Sequence, residues 1–372
     1  HNLLQLGILG HDDPTMIRML QDMAGRDPLT IPLDGSDVMS LFQNTDALGI
    51  TPEQIGGTKL GALGIPEFGT DFAMQMVIDA KPQAFSDLVR ISGLSHGTNV
   101  WLGNAQDLIM SGVATISTAI CTRDDIMLYL IQMGVEPEKS FKIMEAVRKG
   151  MVAKGKCGQW EEWKEDMLAH KVPQWYIDSC QKIEYMFPKA HAAAYVMMAW
   201  RIAYCKIHYP LAYYGAFFSI RAKAFSYEQM CQGQAHMEAI MKEYKRRMDA
   251  VANKEAGALP LSNKEELAYG DMRVVQEMYA RGFEFEPIDI FKAQSRSFQI
   301  VGDKLMPSLS SIDGLGEKAA DAIVEAAKDG PFLSRDDFRE RTKVSKTVVD
   351  LMAQLGLLGD LPESNQLSLF DF

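Results

Sequence analysis

The sequence lacks the features of several common protein classes. Its five cysteines lie more than twenty residues apart and form no C-x-x-C pair, so neither a zinc ribbon nor a disulfide framework is indicated. No apolar run approaches the ~20 residues that a membrane-spanning helix needs. The first residues, His1-Asn2-Leu3-Leu4, include neither an initiator methionine nor the regions of a signal peptide. We therefore expect part of a longer polypeptide, located in a reducing cytoplasm and without a membrane partner.

An excess of positive charge is also missing. The 372 residues carry a formal net charge of −11, which argues against a wholly basic protein that coats nucleic acid. Any contact with DNA must therefore come from local patches. Hydrophobic residues make up 47% of the chain and charged residues 23%, which is the balance of an ordinary folded protein. At roughly 150 residues per domain, this length predicts two or three domains.

The chain up to about residue 225 predicts helices separated by loops rich in Gly and Pro. Apolar residues recur at helical spacing in Asp124–Met133 and Glu138–Lys149, and Gly150 should end the second of these helices. Residues 190–222 are apolar on nearly all sides but are interrupted by Arg201, Lys206, His208 and Arg221. This pattern predicts a buried helix rather than a membrane span, and Pro210 should kink or divide it.

The remainder of the chain predicts more helices and one small hairpin. Charged helical stretches occupy Tyr227 to Met278, with a polar connection near residues 253–262. Residues 298–306 alternate apolar and polar around Gly302-Asp303, which predicts a β-hairpin, and helices should resume from about Gly316. The residues after Pro362 have too little apolar mass for a domain and predict a peptide tail. The predicted fold is mainly α.

A helix-hairpin-helix motif is the clearest local pattern. In Ile312-Asp-Gly-Leu-Gly-Glu-Lys318 two glycines allow a tight turn, and the following helix offers unpaired N–H groups to a phosphate. Such contacts position DNA without reading its sequence. The alternative is an ordinary glycine turn between packed helices. Lys318 and the downstream basic cluster Arg339, Arg341, Lys343 and Lys346 favour the DNA interpretation, and the alternative for that cluster is a solvated face. A second helical turn lies near residues 343–346. The predicted DNA-binding residues are Gly314, Leu315, Gly316, Lys318, Lys343 and Lys346.

The end of the chain resembles the bacterial sliding-clamp-binding pentapeptide. In this motif glutamine hydrogen-bonds at a pocket rim, while leucine and phenylalanine fill apolar pockets. The matching residues are Gln366, Leu367, Ser368, Leu369 and Phe370. A chance match, or a strand that docks on its own domain, is the alternative. A clamp peptide beside a DNA-binding hairpin is physically sensible, because tethering raises the effective concentration on DNA.

Several long and unusual runs carry a resemblance over nearly the whole chain. LGILGHDDPTMIRMLQD, LGIPEFGT, ISGLSHGTNVWLGNAQDLI, FKIMEAVRKG and FPKAHAAAY look like the PolC-type DNA polymerase III alpha family of low-GC Gram-positive bacteria. The resemblance implies a template-directed polymerase that transfers a nucleotidyl group from a dNTP to the primer 3′ hydroxyl. It also implies a palm domain, most of it upstream of His1, whose aspartates hold two Mg²⁺ ions.

One residue departs from that family pattern in a way that affects catalysis. The family reads Leu-Asp-Ile-Leu-Gly-His where this sequence reads Leu6-Gly7-Ile8-Leu9-Gly10-His11. Glycine cannot coordinate a metal, so the third palm carboxylate is missing at Gly7. Asp12 and Asp13 are nearby but would need a different metal geometry. We expect this part of the polymerase to be inactive by itself.

The fingers of such a polymerase need cations and backbone donors around the triphosphate. A loop flanked by glycine and cations on neighbouring helices supply such groups: Ser95, His96, Gly97, Thr98, Arg123, Arg148, Lys149, Lys189 and His191. Each cation alone is equally explained as a surface charge or as a helix C-terminal charge. His191 could also be a core histidine.

The resemblance divides the chain into four functional parts. Residues 1–20 would end the palm, 21–225 form the nucleotide-binding fingers, 226–362 form the duplex-binding domain with its motif at 308–330, and 363–372 form the clamp-binding tail. The implied partners are primer–template DNA, dNTP, the sliding clamp (beta subunit) and other replisome subunits. A non-catalytic, clamp-tethered DNA-binding module is the alternative. A helix-hairpin-helix repair enzyme, with Asp336 or Asp337 as its acid, is a third hypothesis.

Overall fold

A computed structural model describes residues 11–365 of the chain. These residues form two compact units, each discontinuous in sequence. The first unit contains residues 11–27, 50–57 and 208–365, and the second contains residues 28–49 and 58–207. The predicted functional boundaries at residues 20, 225 and 362 do not coincide with this division, and they stay predictions.

The second unit is helical throughout its described residues. Its helices are α2 (Ser36–Ser40), α3 (Asp71–Ala80), α4 (Phe85–His96), α5 (Gln106–Met110), α6 (Arg123–Gln132), α7 (Pro137–Arg148), α8 (Trp160–Ala169), α9 (Gln174–Lys182) and α10 (Lys189–His208). The predicted helices at 124–133 and 138–149 are therefore confirmed as α6 and α7. Pro137 occupies the first turn of α7, and Gly150 follows that helix with a left-handed φ of 69°.

The first unit combines helices with one β-hairpin. Its helices are α1 (Asp13–Ala24), α11 (Pro210–Ala216), α12 (Tyr227–Met230), α13 (Gln234–Ala252), α14 (Asn263–Ala280), α15 (Glu317–Lys328), α16 (Arg335–Thr342) and α17 (Lys346–Gln354). Strands β1 (Gln299–Val301) and β2 (Lys304–Met306) pair antiparallel with Val301 opposite Lys304. The predicted mainly helical fold and its hairpin around Gly302-Asp303 are thus confirmed.

Helix α10 is the centre of the second unit, and it explains the long apolar stretch in the sequence. Trp200 is 1% exposed, its indole N–H donates to the Pro32 carbonyl at 3.0 Å, and its ring meets Phe85 edge-on. The helix ends just before Pro210, where α11 begins, so the predicted division at that proline is confirmed. Within residues 11–365, no helix is both long and apolar enough to cross a bilayer.

Aromatic side chains bring together the distant segments of the first unit. Phe218 contacts Phe225, Phe285 and Phe298, with ring centroids between 5.0 and 5.9 Å apart. Because each ring buries a large apolar area, this cluster packs the β-hairpin region against the segment that follows α11. A buried hydrogen bond of 2.7 Å from the Tyr214 hydroxyl to Glu277 then links α11 to α14.

Asp271 on α14 gives the first unit a pH-dependent stability. Its carboxylate accepts the backbone N–H groups of Lys223 and Ala224 at 3.0 and 2.7 Å, but burial raises its pKa to about 6. Since the unfolded value is about 4, the folded chain holds this proton more tightly, and stability falls as pH rises from about 4 to about 6.

We expect Asp271→Asn to remove that fall and to stabilise the chain at pH 7 by about 2 kcal/mol. The amide oxygen can still accept both backbone N–H groups, whereas no charge is buried. Urea unfolding from pH 4 to 7 measures the effect, with the exposed Asp249→Asn as control. Parallel pH profiles for the wild type and Asp271→Asn would contradict the assignment.

Candidate functional site

The predicted loop Ser95–Thr98 is in part helical: Ser95 and His96 are the last residues of α4, and Gly97 and Thr98 follow it. Backbone hydrogen bonds fix it to the segment before α10: Thr98 N–H donates to the Tyr185 carbonyl at 2.9 Å, and Glu184 N–H donates to the Thr98 carbonyl at 3.1 Å. Glycine is required at position 97, because a Cβ there would lie 2.4 Å from Val100 Cγ2 and 3.0 Å from the Tyr185 oxygen. The backbone hydrogen bonds and the close contacts at Gly97 therefore fix the conformation of this segment.

His96 is held on three sides. Its Nδ1 lies 2.7 Å from the Ser92 carbonyl, its Nε2 lies 3.4 Å from the Glu67 carboxylate, and its ring stacks on Phe187 at a centroid distance of 4.8 Å. Both ring nitrogens thus face acceptors, and the ring can donate to both only when it is doubly protonated. These contacts fix the position of the ring at the C-terminal end of α4.

Glu67 is a residue that the sequence did not mark. It lies in a loop with a left-handed φ of 71°, unusual for a residue other than glycine, and its side chain is 8% exposed. Its carboxylate also accepts from the Ser92 hydroxyl at 3.3 Å. The only available hint was its place within the family-like run LGIPEFGT. The structure indicates that Glu67 positions His96.

His191 continues the row of rings that begins at His96. It meets Phe187 edge-on at 5.0 Å and Tyr195 at 4.7 Å, and it is half-buried on the first turn of α10. The phosphate role and the packing role of His191 both stay predictions. Two of the predicted site residues, His96 and His191, thus contact the ring of the same phenylalanine.

The predicted cations border the same chain segment, residues 184–189. Arg123 begins α6, and its backbone N–H donates to the Phe187 carbonyl at 3.3 Å. Lys189 begins α10, and its N–H donates to the Asp124 carboxylate at 2.8 Å. Arg148 and Lys149 precede Gly150, which packs against the backbone of Glu184. Backbone or ring contacts thus connect His96, Thr98, Arg123 and His191 to this segment, which ends at Lys189. Arg148 and Lys149 adjoin it through Gly150.

Two of these cations have a carboxylate partner of their own. Arg148 makes paired hydrogen bonds to Glu145, and Lys149 Nζ lies 3.0 Å from the same carboxylate. The hydrogen bond from Arg148 lowers the pKa of Glu145 to about 2. The helix C-terminal role that the sequence offered as an alternative therefore applies to both residues. Arg123 and Lys189 differ from this pair in position, because each is half-buried at the start of its helix.

Two hairpins with the same backbone pattern form the candidate DNA interface. In the first, Gly314 has φ of 79°, Leu315 is 5% exposed, and Gly316 caps α15 in an extended conformation. In the second, Lys343 has φ of 60°, Val344 is 4% exposed, and Ser345 caps α17. Each turn therefore inserts one apolar side chain and aims a helix N-terminus outward.

The two hairpins also contact each other. A Cβ on Gly314 would lie 3.3 Å from Val348 Cγ2 on α17, so the first turn approaches the second helix closely. Lys318 and Lys346 are both exposed near the start of their helices. The predicted second helical turn at residues 343–346 is thereby confirmed, and the pair presents two lysines beside two helix N-termini.

One member of the basic cluster that supported the motif has a different role. The Arg341 guanidinium donates to the carbonyls of Ala326, Gly330 and Pro331 at 2.7 to 3.1 Å, and it lies 4.2 Å from the Phe332 ring centroid. It therefore closes the loop between α15 and α16 and does not serve as an open DNA-binding cation.

The acidic residues after the hairpin do not resemble a catalytic pair. Asp337 accepts from the Leu333 backbone N–H at 2.9 Å and shares the N-terminal cap of α16 with Ser334, whereas Asp336 is exposed at the surface. Asp337 is thus a capping residue, which removes the main support for a repair-enzyme active site. Gly7 and the tail residues 366–370 lie outside the described residues.

Two known protein families match this chain, one over the nucleotide-site loop and one over the two hairpins. Residues 13–171 match the bacterial DNA polymerase III alpha subunit finger domain, and residues 282–367 match the helix-hairpin-helix motif. A protein named "DNA polymerase III PolC-type" from Streptococcus pneumoniae serotype 2 is 53% identical over 370 residues, covering 100% of this chain and 25% of the relative. The chain belongs to the PolC-type DNA polymerase III family. Proteins of the same name from Bacillus cereus and Streptococcus pyogenes serotype M5 are 53% and 52% identical, over 99% and 100% of the chain.

The chain spans about a quarter of the length of these PolC-type relatives. The finger-domain match includes the Ser95–Thr98 loop, Arg123, Arg148 and Lys149, but it ends before Lys189 and His191. The helix-hairpin-helix match covers both hairpins. The resemblance inferred from the sequence runs is thereby confirmed over the whole chain.

Proposed function

We propose that this chain is the nucleotide-binding and duplex-binding part of a replicative, template-directed DNA polymerase. The parent enzyme would transfer a nucleotidyl group from a dNTP to the primer 3′ hydroxyl with release of pyrophosphate. The observation that carries the proposal is that residues 184–189 connect the Thr98 end of the predicted loop, His96, Arg123 and His191, in a chain 53% identical to PolC-type polymerases.

The triphosphate would lie beside the Ser95–Thr98 loop. His96, held by Ser92, Glu67 and Phe187, would form one wall of this site, and Arg123 and Lys189 would supply charge from two helix N-termini. The starts of α6 and α10 are joined by the hydrogen bonds from Lys189 N–H to Asp124 and from Arg123 N–H to Phe187, so the two helices would move as one and carry both cations together. Such coupled movement would align the α-phosphate for attack.

The two hairpins would hold the product duplex by its phosphates. Their N–H groups and lysines suit contacts without sequence preference, as a replicative enzyme requires. The clamp-like residues Gln366 to Phe370 would tether the enzyme to the sliding clamp, which raises its effective concentration on DNA. A bacterial cytoplasm, with other replisome subunits as neighbours, is the setting in which these roles combine.

The catalytic Mg²⁺ ions belong to the proposal for the parent enzyme. In residues 11–365, no three His, Cys, Asp or Glu side chains lie together as potential metal ligands, so no ligands are proposed in this part of the chain. With glycine at position 7, we expect the chain alone to bind DNA and nucleotide without catalysing transfer.

The duplex-binding proposal predicts a specific change in salt dependence. Replacing Lys318 and Lys346 together with alanine should weaken binding to primer–template DNA about 5- to 10-fold at ~0.1 M salt and reduce the salt slope by about 2, because two phosphate contacts are lost. Fluorescence anisotropy of a labelled primer–template across a salt series measures both quantities.

Lys328→Ala is the matched control for that experiment. Lys328 lies at the other end of α15, is exposed, and pairs with Glu325 at 2.7 Å. Its replacement should leave the salt slope nearly unchanged. An equal loss of affinity in the control and in the double variant would show that general charge, and not the hairpins, holds the duplex.

The nucleotide-site proposal predicts that the correct next dNTP tightens binding to the primer–template. Glu67→Gln should reduce this tightening about 5-fold, because the amide no longer holds the His96 ring as a carboxylate does. The same anisotropy assay, with and without dNTP and Mg²⁺, measures the effect, and Glu162→Gln on the exposed face of α8 is the control.

Either outcome of the nucleotide experiment is informative. Binding that depends on salt but is indifferent to nucleotide would favour the second candidate function, a DNA-binding module whose fingers act only as scaffold. The two helix-hairpin-helix turns are the observation that supports this second candidate, since they need no triphosphate site.

A further inference from the structure

A cavity of about 440 Å³ lies within the second unit, beside the residues proposed to bind triphosphate. It is bounded by α4, the loop of residues 115–119, α6, α9 and the first residue of α10. Small-molecule sites in proteins span roughly 300–1,000 Å³, so the cavity is large enough for one nucleotide. Apart from Lys189, no sequence motif marked the residues that line it.

One wall of the cavity is aromatic. The rings of Tyr129 and Tyr176 lie 4.3 Å apart, and Trp175 meets Tyr176 at 5.6 Å. Trp175 and Tyr129 are half-buried at the cavity, whereas Tyr176 is 2% exposed. A flat apolar ring in the cavity would therefore meet aromatic side chains, the surface on which nucleic-acid bases commonly stack.

The Tyr176 hydroxyl adds a polar observation to this wall. It is buried and has no hydrogen-bond partner in the described structure. Burial raises the pKa of Tyr176 well above its ordinary value, so the group carries its proton at neutral pH. Buried hydroxyls are usually hydrogen-bonded. The Tyr176 oxygen is not accessible from the cavity, so it would donate to a bound ligand only after a small movement of its ring.

Two cations line the same cavity. Arg90 donates from Nη1 to the Ser117 carbonyl at 2.9 Å, a bond that orients a guanidinium with five N–H donors in all. Lys189 approaches from the start of α10. One carboxylate, that of Asp125, also lines the cavity, but its Oδ2 accepts the backbone N–H groups of Cys121 and Thr122 at 3.1 and 2.9 Å. The lining thus combines two cations with one carboxylate engaged in helix capping.

The geometry points to a nucleotide-binding site in this cavity, with a base against Trp175 and Tyr129 and a phosphate on Arg90 and Lys189. The ligand is either a free nucleotide or one nucleotide of a single DNA strand, since both present the same base and phosphate. The inference rests on the proposed function through Lys189, and it adds Arg90 and the three aromatic residues to the site.

Equilibrium titrations of the full chain test the inference. One titration uses a labelled ten-nucleotide deoxythymidine strand, and another uses a fluorescent dNTP. Arg90→Ala and Trp175→Ala should each weaken at least one of these ligands about 5- to 10-fold, as loss of a stacking or phosphate contact does. Tyr176→Phe, which keeps the ring, should weaken the same ligand about 2- to 3-fold. Lys142→Ala, on the exposed face of α7, controls for general charge.

The pattern of losses distinguishes the two ligands. A loss confined to the strand identifies a nucleotide of single-stranded DNA, and a loss confined to the dNTP identifies a free nucleotide; both support the site. Unchanged affinity for both ligands in Arg90→Ala and Trp175→Ala would overturn it. If either variant fails to fold, Arg90→Lys and Trp175→Phe replace it and should lose at least 2-fold.

A further variant keeps this inference separate from the proposed triphosphate site. His96→Ala perturbs the Ser95–Thr98 loop but not the cavity lining. A loss of dNTP effect in His96→Ala, with both ligands unaffected by the cavity variants, would remove the cavity inference and leave the proposed function intact. Weaker ligand binding in the cavity variants, with the dNTP effect intact in His96→Ala, would support the cavity and count against the proposed role of the loop.

Discussion

Replacing Lys206 with alanine is expected to lower the free energy of unfolding of the chain by about 3–5 kcal/mol. Lys206 is fully buried in α10, and its Nζ donates to the carbonyls of Gly61 and Leu63, both at 2.7 Å. The alanine variant leaves two buried carbonyls without these donors and opens a space the length of a lysine side chain. Urea unfolding followed by circular dichroism measures the loss.

A second lysine provides the control for this experiment. Lys182 Nζ also donates to a backbone carbonyl, that of Gly103 at 3.1 Å, but its side chain is exposed. Lys182→Ala should cost about 0.5 kcal/mol or less, because water replaces the lost donor. The loss of unfolding free energy in Lys206→Met should lie between the losses in Lys206→Ala and Lys182→Ala, since methionine restores packing but not the hydrogen bonds. Similar small losses in all three would show that the buried lysine is not what holds residues 61–63.

The sequence predicts elements whose periodicity and end residues agree. Helices α6 and α7 were predicted to within about one residue at each end, because apolar spacing, Pro137 and Gly150 all point to the same boundaries. The β-hairpin was predicted because Gly302-Asp303 supplies a turn between two alternating stretches. These are local properties, so no tertiary information was needed.

The division into units could not be predicted, because it depends on contacts between distant segments. Residues 50–57 lie with the first unit although their neighbours on both sides belong to the second. Pro52–Ile55 forms a short turn that packs on α14, more than two hundred residues away in the chain. Composition changes little at these points, so nothing in the sequence marks where the chain passes from one unit to the other.

The candidate site shows the same limit at the level of side chains. Residue type alone made Arg341 a DNA-binding candidate, whereas its carbonyl partners make it a structural residue. Glu67 was missed because a glutamate with a left-handed φ has no sequence signature. The resemblance to the polymerase family located the loop and the cations, but only the structure shows that residues 184–189 connect them.

Gly150→Ala is expected to cost about 3 kcal/mol of stability and to disturb the nucleotide site. Its φ of 69° is strained for alanine by about 1–2 kcal/mol. The new Cβ would also lie 2.6 Å from the Glu184 carbonyl oxygen and 3.0 Å from its Cα, both backbone atoms that cannot rotate away. The segment that pairs with Thr98 must therefore shift. Urea unfolding measures the stability, and the dNTP-dependent anisotropy of primer–template measures the site.

Gly155→Ala separates the two causes. Gly155 has nearly the same φ, 66°, but a Cβ there would meet no atom within 4 Å. Its replacement should cost only the conformational strain of about 1–2 kcal/mol and should leave the effect of dNTP unchanged. The difference between the two variants then reports the contact between Gly150 and Glu184. Equal losses of stability, with dNTP tightening intact in both, would show that this contact does not hold Arg148 and Lys149 against the nucleotide site.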